Sequence, residues 1–404
     1  MQIKTKFTTY ELWEMTTFAT LSVFFLYSLW FQQVYTSISG AFNFFGIAFI
    51  VLLILNPKKI GFYRELSCVY LFLGVILFET LFTARYKATS IQMLITVLGY
   101  VLPMFIIFLY VEDEIRKLKK ILWIIWIAIV LLSFGSIMHP VVANTGAVSV
   151  GALNVNVFSS FLLLGLMSSL ILYFQEYDSK WKRIFLLFGI AVNAIAQVNS
   201  ASRRGFLVFA FVIGFVLWES IRIRYKNSPI TKFFFVAFVV ICCLVVANLF
   251  LEKYADTALV SRLLGRATDT AQGDRMRAVY QAGAFDLFVN DPIFGYGLNS
   301  VAQTVGVYSH SLYFELLGCT GAIGTITLLS FFLSNIVFCV RLMKIDRSKS
   351  GSVSEYLSMN EIAFCLAILI SGYAVVLIYD MYFYIMVAII ASIRKCITAQ
   401  IIDG

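Results

Sequence analysis

A chain of 404 residues that is 61% hydrophobic, 16% aromatic and only 13% charged has more apolar surface than a water-soluble fold can cover, so its solvent is lipid. Its length is therefore counted in membrane spans and not in soluble domains. The formal charge of +9 does not call for nucleic acid, because most of the basic residues sit in alternate loops, as a positive-inside bias requires.

Lys4 and Lys6 precede an apolar run from near Met15 that lacks a small-residue cleavage site, which reads as a retained first span. A helix needs about 20 apolar residues to cross the hydrocarbon. On that measure spans fall near 15–34, 41–55, 66–83, 91–110, 121–138, 155–174, 184–199, 205–220, 233–250, 310–340, 361–378 and 381–394, the last two joined by a very tight turn at Tyr379-Asp380. The expected fold is an all-α polytopic membrane protein of about 12 transmembrane helices. Residues 1–250 hold the first nine, 251–309 form one large external loop, and 310–404 hold the last three. With the N-terminus inside, 22 of the 31 basic residues face the cytoplasm, and every inside loop is basic, so both termini are read as cytoplasmic.

The nine basic residues left outside are Arg85, Lys87, Arg203, Arg204, Lys253, Arg262, Arg266, Arg275 and Arg277. Arg203 and Arg204 stand in a minimal turn, Ser200-Ala201-Ser202-Arg203-Arg204-Gly205, between two apolar helices. Two readings stay open for them: snorkelling to lipid phosphate, or a guanidinium pair that grips a phosphate-bearing ligand. In the external loop, residues 275–290 can form a helix with Met276, Val279, Tyr280, Phe285 and Phe288 as its apolar component. A turn-rich break follows at 291–297, and the chain re-enters the membrane at His310, one of two histidines in the chain. Ionisable groups at membrane depth are usually functional. Glu79, Glu315 and Asp380 are the only acids placed within or at the ends of spans, and no span pair repeats another, which lowers a transporter reading. The seven cysteines form no Cys-x-x-Cys pair, so neither a disulfide framework nor a zinc site is indicated. His139, before Pro140, is a weaker second candidate and reads more simply as an interfacial cap.

Soluble-enzyme motifs such as Gly-x-x-x-x-Gly-Lys and His-Glu-x-x-His are absent. What remains outside is a set of arginines, one histidine and a loop whose aromatics, prolines and glycines argue for order. Arginines can bind a diphosphate, and a histidine can handle a hydroxyl proton. On these residues the chain resembles the O-antigen polymerase and O-antigen ligase family of membrane glycosyltransferases. The family motif His-[Asn/Ser/Gln]-x9-Gly-x-x-[Gly/Thr/Tyr] is matched by His310, Ser311, Gly321 and Gly324. Arg275, Tyr280 and Pro292-Ile293-Phe294-Gly295-Tyr296-Gly297 look like the family's upstream block, with Tyr for the more usual Trp. Ser202-Arg203-Arg204-Gly205 looks like its Ser-Arg-Gly turn, with Arg204 favoured over Arg203 for the alignment.

The resemblance implies a GT-C-like helical bundle whose external loop caps an outward-facing cavity. It implies an undecaprenyl-diphosphate-linked oligosaccharide donor, no metal or other cofactor, membrane lipid as surroundings and a chain-length regulator protein as partner. By analogy Arg204 and Arg275, helped by Arg203 and Arg277, would neutralise the departing diphosphate, and His310 would accept or orient the acceptor hydroxyl's proton. Gly321 and Gly324 are expected to let a neighbouring helix approach. Tyr308 and Tyr313 can stack on sugar, although aromatic anchoring at the membrane surface is the commoner use. The expected activity is that of a polysaccharide repeat-unit polymerase in a bacterial cytoplasmic membrane. The alternatives are a ligase that passes the finished glycan to another acceptor, or a flippase for lipid-linked oligosaccharides. The Ile-, Phe- and Lys-rich composition fits a low-GC genome and a bacterium without an outer membrane, which favours the polymerase.

Overall fold

The computed structural model describes residues 8–403 except 36–39, 59, 143–147, 150–153, 177, 226–227, 229–257, 264–267 and 346–352. In chain order its helices are α1 Thr9–Val34, α2 Ala41–Ile54, α3 Arg64–Thr83, α4 Lys87–Val111, α5 Ile115–Met138, α6 Val155–Gln175, α7 Lys180–Asn199 and α8 Arg203–Arg224. Then follow α9 Ala258–Leu263, α10 Thr268–Asn290, α11 Ser300–Val305, α12 Leu312–Ile345, α13 Val353–Gly372 and α14 Met381–Asp403. A two-residue ribbon, Val141–Val142 against Val148–Ser149, is the only strand pairing among the described residues.

Ten of these helices are long and apolar enough to cross a membrane, and the protein is a polytopic α-helical membrane protein. The eleven expected spans that fall on described residues each coincide with a helix, and the twelfth, 233–250, lies outside them. Helix α2 has 14 residues, which rise roughly 21 Å against a hydrocarbon core of about 30 Å. It is apolar but short.

Helices α6 and α14 form the centre of the bundle: 83% of the membrane-length stretch of each is buried, against 33% for α3, α7 and α8. Ile184, Phe185, Leu187 and Phe188 of α7 are exposed, as expected of a helix whose outer face meets lipid chains. Close approach at the centre depends on small residues. A Cβ on Gly165 of α6 would lie 2.4 Å from Ile129, and one on Gly205 of α8 would lie 1.5 Å from Ser159 Oγ. At the end of the bundle opposite the arginine turn, Lys117 is 4% exposed and pairs with Glu14 at 3.5 Å, Glu112 at 3.7 Å and Glu114 at 2.7 Å. That network joins α1, the α4–α5 turn and α5.

Three expectations require correction. The last two spans are not joined by a tight turn at Tyr379-Asp380. Helix α13 stops at Gly372, and eight residues, 373–380, run without regular helix before α14. Acids within spans are also more numerous than hydropathy placed them: α1 begins early enough to include Glu11 and Glu14, and Glu361 is fully buried in α13. Finally, α12 is not continuous, because Gly321 has φ 57° and ψ −162°.

Candidate active site

Two helix N-termini meet at a cavity of about 800 Å³. Asn154 caps α6 by accepting from the Asn156 N–H. Ser202 caps α8 by accepting from the Gly205 N–H, and its own hydroxyl donates to Asn156 Oδ1 at 2.9 Å. Both caps therefore share one polar corner, which Ala201 enters with φ 50°. Glycine follows at 205 because Ser159 of α6 fills the space a side chain would need. The free N–H groups and dipole of a helix start favour an anion, and here α8 begins with two arginines.

Arg204 is half-buried in that corner. Its Nη2 donates to the Asn156 carbonyl and to Ser160 Oγ, while its buried Nε and Nη1 have no hydrogen-bond partner among the described residues. Arg203 and Arg277 both bond Asp274, at 3.0 Å and 3.1 Å. The cavity is lined by these three arginines with Asp274, Asn154, Asn156, Ser202 and Gln281, and is closed on one side by Tyr373 and Ala374. Helix α10 presents Asp274, Arg277 and Gln281 to it at i, i+3 and i+7. Arg275 lies on another face of α10, exposed, and does not line the cavity.

His310 stands beside this cavity and not in its lining. Its ring packs on Tyr280, one turn after Arg277 on α10, with centroids 5.9 Å apart. Its backbone has φ 57°, a left-handed conformation that a non-glycine residue holds only when its surroundings enforce it. Burial, and then the Arg277 guanidinium, lower the His310 pKa from the ordinary imidazole value, which favours the neutral ring, the form able to take a proton. Ser311 Oγ donates to the Gly372 carbonyl at 3.4 Å, and the next residue, Tyr373, is in the cavity wall. The 373–380 segment thus joins the histidine turn to the arginine corner. At its far end Asp380 accepts from Tyr382 OH at 3.2 Å and lies in the field of Arg204. Burial pushes its carboxyl up to about 6, against the lowering effects of Tyr382 and Arg204.

The break in α12 has a partner. Around Gly321 the carbonyls of Gly318 and Cys319 and the N–H groups of Ala322 and Ile323 are released from the helix ladder. All four are taken by the turn at 292–297. Tyr296 N donates to Gly318 O and Gly297 N to Cys319 O, while Pro292 O accepts from Ala322 N and Ile293 O from Ile323 N, at 3.2, 2.8, 2.8 and 3.3 Å. A Cβ on Gly321 would lie 2.4 Å from Ile293 O, and one on Gly295 would lie 2.6 Å from Gly321 N. These glycines therefore do not serve a neighbouring helix, as expected from sequence. Gly321 admits the backbone of the turn, and Gly324 packs over Thr320 of its own kinked helix, 2.4 Å from where its Cβ would fall. The other side of the turn is held by Arg85 N donating to Tyr296 O and Ser90 Oγ donating to Leu298 O.

Residues 186–329 match the family model described as O-antigen ligase. This is a similarity over one stretch of the chain. It spans Arg203, Arg204, Arg277, the 292–297 turn, His310 and both glycines of the kink. The match supports a glycan-transfer role in polysaccharide assembly, in agreement with the resemblance read from the motifs. No curated protein matches the chain.

Within the matched stretch, the structure brings together Arg203, Arg204 and Arg277, with His310 alongside. It leaves Arg275 out. Tyr308 packs on Tyr379 with ring centroids 5.2 Å apart, and Tyr313 OH donates to the Leu369 carbonyl. Neither tyrosine lines the cavity. His139 caps the end of α5, exposed, and is no part of the site. Sequence reading missed Asp274 and Gln281, which nothing separates from other polar residues of the external loop, and Tyr373, which it placed inside a span; Asp380 it noted only as an acid at a span end. Among the described residues no group of three or more His, Cys, Asp or Glu side chains could hold a metal.

Proposed function

We propose that this protein is a polysaccharide repeat-unit polymerase that uses an undecaprenyl-diphosphate-linked glycan on the outer face of a bacterial cytoplasmic membrane. The observation that carries this reading is the arginine corner: a guanidinium with two buried nitrogens that no described residue partners, at paired helix starts, with His310 alongside. The diphosphate would lie against Arg204, Arg203 and Arg277. An acceptor sugar hydroxyl attacks the anomeric carbon of the growing glycan, and the C–O bond to the diphosphate breaks. The electron pair leaves with the lipid diphosphate, where the guanidinium groups stabilise the charge. The hydroxyl proton passes to His310. With the basic loops in the cytoplasm, the cavity end of the bundle faces outward.

The description of the matched family as O-antigen ligase favours a second reading, in which the finished glycan passes to a different acceptor. Both use the same donor and leaving group. Mass spectrometry of the lipid-linked glycans that accumulate on deletion of the gene separates them. Single repeat units on the outer leaflet support the polymerase, and full-length polymer stranded on its carrier supports the ligase. Single units trapped on the inner leaflet would refute transferase chemistry.

A further inference from the structure

Glu315 is fully buried one turn into α12, at membrane depth, where an ionisable side chain is costly and calls for a reason. Its Oε2 accepts from the Ser309 N–H at 2.9 Å, the residue before His310. Its Oε1 faces Tyr379 OH at 3.5 Å and Cys319 Sγ at 3.7 Å. Tyr379 OH in turn accepts from the Asn299 N–H at 3.0 Å, at the start of α11. One carboxyl therefore ties together the histidine turn, the segment after the 292–297 turn and the 373–380 segment. Two further bonds of the turn are local: Ser309 Oγ donates to Ser311 O, and Ser311 N donates to Ser309 Oγ. Those two move with the turn. Among the described residues the Glu315 side-chain bond and the Ser311–Gly372 bond fix it to the bundle, and Ser311 O also accepts from Glu315 N at 3.0 Å where α12 begins.

We propose that Glu315 is the positioning residue for His310. It accepts the Ser309 N–H so that the strained left-handed backbone at 310 holds the imidazole on Tyr280, toward the arginine corner. This deepens the transferase reading and rests on it. The role needs an acceptor aimed at Ser309 and a second polar atom aimed at Tyr379. Glutamine can supply both, through its carbonyl and its amide. Aspartate, one methylene shorter, cannot reach Ser309 without moving the helix, and alanine supplies neither.

The test uses the full chain in lipid nanodiscs on a His139→Gln background, which leaves His310 as the sole histidine. Two quantities are read in Glu315→Gln, Glu315→Asp and Glu315→Ala. The first is turnover of lipid-linked glycan extracted from the deletion strain. The second is the rate at which diethyl pyrocarbonate modifies His310. Loss of positioning should lower kcat about 10- to 100-fold, with KM changed less than about threefold, in the alanine and aspartate variants, while glutamine keeps near wild-type turnover. Modification of His310 should speed up in the same two variants and not in glutamine. The proposal is overturned if alanine keeps wild-type kcat and wild-type modification rate, or if glutamine fails as alanine does. Absence of turnover in the parent protein would defeat the transferase reading, and the modification rates would still decide the role of Glu315.

Discussion

Replacing Gly321 by alanine tests whether the kink in α12 and the 292–297 turn are one device. At φ 57° and ψ −162° Gly321 occupies a region essentially reserved for glycine, where a side chain costs about 1–3 kcal/mol. The new methyl group would also point into the Ile293 carbonyl, 2.4 Å away, and the Phe294 nitrogen, 2.8 Å away. Both are backbone atoms that no rotamer change can clear. Relief requires the turn to lift, which breaks the bonds from Ala322 N to Pro292 O and from Ile323 N to Ile293 O, at about 1 kcal/mol each. The total is on the order of 3–5 kcal/mol. That is enough to undock the turn and too local to unfold a bundle of this size. Amide hydrogen exchange of the protein in nanodiscs reads this directly: the amides of Tyr296, Gly297, Ala322 and Ile323 should lose roughly two to four orders of magnitude of protection, while α6 and α14 keep theirs. Glycan synthesis in the complemented deletion strain should fall with it. Gly74→Ala, at a position open to the surroundings, is the control and should change neither. Unchanged protection at Ala322 and Ile323 in Gly321→Ala would refute the docking argument.

Arg204→Lys keeps the charge but loses the planar fork that reaches Asn156, Ser160 and the cavity at once; kcat/KM should fall about 100-fold, and equal turnover would remove Arg204 from the diphosphate site. The limb of the pH–rate profile that requires neutral His310 should lie below the ordinary imidazole pKa of about 6.5. Arg277→Gln removes one of the two causes of that lowering, so the midpoint should move to higher pH, and a shift downward would contradict the assignment. The same lowering sets a stability sign. As pH falls below about 6.5 the unfolded imidazole binds a proton before the folded one does, so His310 subtracts stability on the acid side, and Arg277→Gln should lessen that loss as read by Tm. Lys117→Met leaves Glu14 and Glu114 without their cation and Glu112 with Lys58 alone at the far end of the bundle. It should lower stability by about 3 kcal/mol without altering KM, measured as Tm in detergent and turnover side by side.

The helices were legible because lipid imposes one rule on every span, and hydropathy reads that rule directly. Boundaries failed where a polar residue sits in a span for a local reason. Glu361, buried between helices, was assigned no role within a span, and Gly372 ended α13 earlier than the apolar run did. In the site, the rank order of arginines was the hard part. Arg275 and Arg277 both stand in the block upstream of the turn, but a helix places residues two apart about 200° from each other. Only Arg277 can share a face with Asp274 and Gln281, and that distinction depends on the phase of α10, which begins earlier than sequence placed it. Tyr373 was invisible for another reason, and Asp380 was legible only as an acid at a span end. Their segment is apolar enough to be counted as helix, and only the packing of Gly372 against Leu312, together with its carbonyl's bond to Ser311, shows that the chain leaves the helix to form a wall.

A membrane helix that breaks at mid-course must find partners for the backbone groups it frees, since hydrocarbon offers none. In α12 those partners come from the 292–297 turn, and that turn is itself held on its other side by Ala84 and Arg85 of the α3–α4 connection and by Ser90 of α4. The external segment is therefore built into the bundle, and α10, which supplies Arg277 and the ring that meets His310, is anchored by the same four hydrogen bonds that close the break. This accounts for the spacing of the motifs. The proline and glycines at 292–297, the histidine at 310 and the glycines at 321 and 324 are separated in sequence by one short helix and one helix turn-in, the length needed for the chain to leave the break, round α11 and return to it. An insertion within 298–309 should thus be tolerated only if it leaves both the Ser309–Glu315 bond and the Asn299–Tyr379 bond intact. Lengthening α11 by a full helical turn breaks one or the other and should abolish activity with the transmembrane bundle still folded.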